Sequence, residues 1–146
     1  MKARDILAQK GSRVVTIHRK NLLVDVMSYF LVNRIGSLVV VDRFEKILGI
    51  VAPVDVLKAL HKDPHNISNK TVQEVMSTDV IVAGPDEEVE SLMAIMTENR
   101  IRHIPIIEDS KMIGLVSIGD VVKAQLTVHE VQINYFKDYL EGKYSS

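Results

Sequence analysis

The spacing of apolar and polar positions is most regular in the second half of the chain. Val89, Leu92, Met93 and Met96 fall at i, i+3, i+4 and i+7, which predicts a helix with one buried face. Upstream, Val80-Ile81-Val82-Ala83 predicts a short strand, which Gly84-Pro85-Asp86 interrupts while offering Asp86 as a helix N-cap. Downstream, Ile104-Pro105-Ile106-Ile107 predicts a strand, Glu108-Asp109-Ser110 a tight connection, and Met112 to Ser117 a further strand. Asp120-Val121-Val122-Lys123 opens a last helix, and Val128, Val131 and Tyr135 carry its spacing on nearly to Glu141.

The first half repeats this order. Val14 to Ile17 predicts a strand, Leu23, Val26, Met27 and Phe30 a helix, Leu38 to Val41 and Ile47 to Ala52 two strands, and a helix follows from about Val54. Laying 14–44 over 80–110 and 46–59 over 111–124 needs a single one-residue gap, at Glu45. Twelve of the 45 aligned positions are then identical, against about three from background amino-acid usage. A duplicated β-α-β-β-α unit therefore accounts for the chain better than coincidence does. The strongest blocks are Asn33-Arg34-Ile35 against Asn99-Arg100-Ile101, and Gly49 to Ala59 against Gly114 to Ala124.

Between the copies, Asp63-Pro64-His65-Asn66 and Ser68-Asn69 favour turns, so the domains are expected at 1–66 and 67–146. Thr71 to Met76 predicts a short helix with a Thr71–Glu74 capping box, and Ala3 to Leu7 is its counterpart ahead of the first copy.

Composition narrows the chemistry. A chain 47% apolar and 25% charged has the balance of a folded globular protein. Its net charge of −1 lacks the positive field that drives non-specific nucleic-acid binding. The absence of cysteine excludes disulfides, thiolate metal sites and a cysteine nucleophile, and fits a reducing, cytoplasmic setting. The charged stretch from Met1 to Val15 does not read as a signal peptide, and no apolar run is long enough to span a bilayer, so no membrane partner is expected. The five histidines lack zinc-ligand spacing, and neither a dinucleotide fingerprint nor a phosphate-binding P-loop occurs, so no metal is expected. Ser117 and His103 lack the elbow and oxyanion loop of a hydrolase, and no enzyme activity is expected.

A twice-occurring β-α-β-β-α unit, a short helix ending Val75-Met76, the run Arg100 to Ile106 and the closing Gly114 to Asp120 together resemble the CBS-domain family, in particular small stand-alone CBS pairs. The resemblance implies an α/β (α+β) fold in which two units pack through their sheets as a pseudo-two-fold pair, with an extended C-terminal helix added here. It also implies ligand clefts between the repeats and a homodimer, for which the apolar stripe on the last helix offers surface. The implied function is regulatory: an adenine nucleotide (AMP, ATP or NAD, with S-adenosylmethionine a weaker candidate) shifts the populations of the module and so modulates a partner protein of unknown identity.

In such families a Gly-h-x-Ser/Thr-x-x-Asp segment places a hydroxyl and a carboxylate at a strand end and helix start, here Ser117 and Asp120. A carboxylate can accept from both hydroxyls of a ribose, and a serine hydroxyl can donate to a phosphate or ribose oxygen. The plainer reading makes Asp120 a helix cap and Ser117 a satisfied strand-end hydroxyl. Arg102 and His103 are implied to reach the phosphates, and Val80 and Ile104 to wall the adenine unless they are plain core. The first copy keeps Asp55 but has Ala52 for the hydroxyl and Gly36-Ser37 for the cationic pair, so its site is expected to be weak or empty. The alternative is a constitutive scaffold dimer whose pocket has decayed.

Overall fold

The computed structural model describes residues 1–142; the last four residues of the expected second domain, 143–146, lie outside them. The chain packs as two compact units: Arg13–Ile81, and Met1–Ser12 together with the chain from Val82 onward.

In the 13–81 unit, β1 (Thr16–His18) runs parallel to β2 (Leu38–Val41), which pairs antiparallel with β3 (Ile47–Val51). All four residues of β2 are buried, as expected of a central strand in so small a sheet. Helices α2 (Leu23–Asn33) and α3 (Pro53–Lys62) supply Leu23, Val26, Phe30, Val56 and Ala59 to its core. In the split unit, α1 (Ala3–Lys10), α4 (Val89–Asn99) and α5 (Ile118–Leu140) pack with the hairpin of β4 (His103–Glu108) and β5 (Lys111–Ser117). Its core includes Leu7, Leu92, Met96, Ile104, Ile106, Val116 and Val121.

The repeat is visible in detail. Helices α2 and α4 close on Arg34 and Arg100, both left-handed with φ of 51° and 54°, which explains the identical Asn-Arg-Ile triplets. Both hairpins shift register at equivalent places, Val40/Val41 and Ile106/Ile107. The unmatched Glu45 lies in the first hairpin turn with φ of 64°, beside Asp42, whose Oδ1 accepts from the Phe44 and Lys46 amides at 2.8 and 2.9 Å. An extra residue is absorbed there without disturbing the strands.

Three expectations change. Asp86 does not cap α4, whose N-cap is Glu88; its carboxylate instead accepts from Arg4 Nε at 3.0 Å. Val80 to Ala83 does not form a strand; Ala83 alone bridges to Ile106, donating to the Pro105 carbonyl at 3.1 Å and accepting from the Ile107 amide at 2.9 Å. Extending this parallel ladder toward Ile81 would call on the amide of residue 105, and proline has none. Val39, at the equivalent position of the first copy, does pair with β1.

The division at residue 66, giving 1–66 and 67–146, is also not how the chain packs. The short helical segments ahead of each copy are exchanged. Helix α1 joins the second copy, where the Ala3 amide bonds the Glu87 carbonyl at 2.9 Å and the Val89 amide bonds the Met1 carbonyl at 3.0 Å. The 3₁₀ turn Val72–Glu74 joins the first copy through the matching pair, Val72 to Asn21 at 2.8 Å and Leu23 to Lys70 at 2.9 Å. The glycines that open each closing strand segment take these guests. A Cβ at Gly49 would stand 2.7 Å from the Ser77 carbonyl oxygen and from the Met76 sulfur, and one at Gly114 would collide with the Leu7 side chain.

Candidate functional site

Helix α5 starts where β5 ends, and the start is built from Ser117 and Asp120. The Ser117 amide donates to Asp120 Oδ2 at 2.8 Å, and the Asp120 amide donates to Ser117 Oγ at 3.1 Å, a reciprocal capping box. The N-cap is therefore Ser117 and not Asp120, which stands at the third helical position and returns the bond to the cap's amide. Register then adds His103, which lies directly opposite Ser117 at the start of β4. Arg102 precedes it with an exposed side chain, while its carbonyl accepts from the Ile118 amide at 2.8 Å. Four of the expected site residues are thus gathered at one end of the β4–β5 hairpin.

A fifth participant has no counterpart in the sequence reading. Lys10, at the end of α1, sets its ammonium 2.6 Å from Asp120 Oδ2 and 2.8 Å from the Leu115 carbonyl. Burial works to raise the Asp120 carboxyl, but the Lys10 ammonium and the Ser117 amide and hydroxyl outweigh it and hold the group below the usual carboxylate range. His103 is pushed below the ordinary imidazole value by burial first, then by Lys10; Asp120 opposes this and Arg102 adds to it. The imidazole is accordingly neutral at pH 7, and what it can offer a ligand there is a hydrogen bond rather than a charge. No spacing rule links Lys10 to Asp120, because the contact spans 110 residues and depends on the exchange of α1.

The remaining expected residues lie elsewhere. Ile104 is fully buried in the hydrophobic core, so it presents no surface to an adenine. Val80 and Asp55 belong to the 13–81 unit, and Val80 sits outside any strand, partly exposed. Asp55 accepts from the Ala52 amide at 2.8 Å, half of the capping box that Ser117 and Asp120 complete. The same unit holds Ser37, one residue before the Leu38–Val51 pair and 5% exposed, whose hydroxyl has no hydrogen-bond partner in the structure. Among the described residues, no group of three or more His, Cys, Asp or Glu is placed to hold a metal ion, and no helix is long and apolar enough to cross a membrane.

Comparison with known proteins follows the same two copies. The CBS domain family matches residues 3–62 and again 72–127. The mitochondrial CBS domain-containing protein CBSX3 of Arabidopsis thaliana is 36% identical over 116 residues, covering 77% of this chain and 56% of that protein. The chain thus matches little more than half the length of that relative. Among solved structures, the CBS-domain containing protein ATU1752 from Agrobacterium tumefaciens superposes with a TM-score of 0.82 at 32% identity, covering 85% of this chain and 92% of that one. The CBS domain pair of protein MJ0100, solved in complex with 5′-methylthioadenosine and S-adenosyl-L-methionine, superposes with a TM-score of 0.73 at 26% identity over 85% of this chain and 98% of that one.

Proposed function

The chain belongs to the CBS-domain family, and from that premise we propose that it is a regulatory module binding an adenosine-containing ligand at the Ser117–Asp120 end of the split unit. The observation that carries this reading is the convergence of Ser117, Asp120, His103 and Arg102 at one hairpin end. The adenosine-based ligands of the MJ0100 domain pair support the ligand class.

The chemistry follows from the groups available. Asp120 offers a carboxylate held ionised, able to accept from ribose hydroxyls. The ligand competes with Lys10 for that carboxylate, and an ammonium so displaced is free to meet a phosphate or carboxylate on the ligand. Arg102, exposed beside it, adds a planar fork of donors suited to phosphate, which favours AMP, ATP or NAD. Displacing Lys10 loosens α1, so binding biases the population of a packed segment, and that change is what a partner protein reads. The module works as a homodimer: Leu126, Ile133, Phe136 and Leu140 lie more than half exposed at successive spacings of seven, three and four residues along α5, a stripe suited to a second copy. Light scattering on the intact protein should give twice the chain mass, and Leu126→Ser with Phe136→Ser should reduce it to one; a monomeric wild type removes the dimer from the proposal.

One observation favours a constitutive scaffold instead. The start of α5 is complete as it stands, with Ser117 and Asp120 capping each other and Lys10 neutralising the carboxylate. Calorimetric titration of AMP, ATP, NAD and S-adenosylmethionine separates the two. Saturable binding, one ligand per chain, weakened at least tenfold by Arg102→Ala and by Asp120→Ala, is the expected result. Heat from none of the four selects the scaffold.

A further inference from the structure

Helix α5 runs on past the unit it belongs to. Val121 and Ala124 are buried and Val128 is half-buried, but from His129 to Leu140 every residue is exposed except the half-buried Asp138. The stretch also lies beyond both repeats matched by the family. It amounts to about three helical turns and includes the β-branched Val131 and Ile133, so on its own it is marginal as a helix in water. A second surface laid along it would supply the packing that its own unit does not.

A seam is written along this helix. Val122, Leu126, His129, Ile133, Phe136 and Leu140 follow one another at intervals of four and three residues, the a and d positions of a coiled coil with one polar member, His129. Lys123, Glu130 and Lys137 then take the e positions that flank the seam on one side, and Gln125, Gln132 and Tyr139 the g positions on the other.

The flanking charges select direction and register. In a parallel pair e faces g, so Glu130 meets a glutamine and so does Lys137, and no charges of opposite sign are paired. In an antiparallel pair of identical helices e faces e. One register then sets Glu130 against the partner's Lys137, twice by symmetry. Sliding by a heptad one way puts Glu130 on the partner's Glu130 and Lys123 on the partner's Lys137; sliding the other way puts Lys137 on the partner's Lys137. Both slipped registers juxtapose like charges, which is repulsive. The attractive register stacks His129 on the partner's Leu140 and Ile133 on the partner's Phe136. Its overlap is therefore residues 129–140, the same stretch that the unit leaves bare.

We propose that α5 pairs antiparallel with α5 of a second copy over residues 129–140, in the register that sets Glu130 against the partner's Lys137. The pairing rests on the homodimer described above and gives it a surface, a direction and a register.

Thiol cross-linking in the full chain tests the direction, because the protein has no cysteine of its own. Under oxidised glutathione, His129→Cys/Leu140→Cys should run as a linked dimer on a non-reducing gel, while His129→Cys and Leu140→Cys alone should not. Positions 129 and 140 are about 16 Å apart along one helix, too far to bridge within a chain. The register is tested by light scattering on a dilution series at low ionic strength. Glu130→Lys and Lys137→Glu should each weaken the dimer about tenfold, since symmetry turns two attractions into two repulsions, and Glu130→Lys/Lys137→Glu should restore it. All these side chains are exposed, and circular dichroism checks that each variant is folded. Cross-linking in either single cysteine variant, none in the double, or a dimer indifferent to the charge reversals overturns the pairing and leaves a homodimer standing. A monomeric wild type removes the homodimer and the pairing together, and light scattering shows that before any substitution is made.

Discussion

Asp120 carries three demands at once: it closes the capping box of its own helix, pairs with Lys10 and, in the proposed function, receives a ribose. The first two are visible in distances of 2.8 and 2.6 Å to a single oxygen, Oδ2. Because the folded carboxyl titrates below its unfolded value, the stabilisation is present above about pH 3.9 and is lost as pH falls through the folded value. Lys10→Met should therefore lower stability at pH 7 by about 0.5–1 kcal/mol, the range of a partly exposed ion pair. Denaturant melts of wild type and variant should converge as the pH falls through the folded Asp120 value and the carboxyl becomes protonated in both. A difference that persists there would mean that Lys10 acts through packing of its stem rather than its charge.

Between elements, the decisive contacts are those of a glycine with a short helix. At Gly114 the missing side chain lets α1 lie on β5, with Leu7 filling the space that a Cβ would take. Gly114→Ala is expected to destabilise the protein by about 1–3 kcal/mol, as overpacking does. Trimming the guest should offset it: Leu7→Ala is itself destabilising, yet the double variant should be more stable than the sum of the two losses predicts. A double-mutant cycle by urea unfolding measures this, and strict additivity would show that the two residues do not meet.

At the scale of the molecule, the exchange of the two short helical segments decides which pieces of chain belong together. A fragment ending at residue 66 loses Val72, which is fully buried, together with Met76 on Gly49 and the backbone bonds of Lys70, Val72 and Gln73 to Leu23, Asn21 and Arg19. A fragment of residues 13–81 keeps its whole core. The second should show cooperative thermal unfolding by circular dichroism, and the first should not, or should melt well below it. Equal behaviour of the two would mean that the exchanged turn contributes little to the core.

What the sequence determined by itself was local or periodic. Apolar spacing located the helices carrying Leu23 to Phe30 and Val89 to Met96, and the identities between Gly49–Ala59 and Gly114–Ala124 exposed the duplication. The Thr71–Glu74 capping box was legible too, because such a box lies within four consecutive residues, whereas at the start of α5 the cap expected of Asp120 fell to Ser117. Tertiary structure decided the rest. Whether Val80 to Ala83 formed a strand rested on the amide that Pro105 lacks, a partner more than twenty residues away. Ile104 and Val116 looked alike as strand residues, and only packing put both wholly in the core. Lys10 reached Asp120 because α1 packs with the second copy. Periodicity records which side of an element is buried, but not which distant element covers it, since that choice is made by shape and by the few side chains that meet.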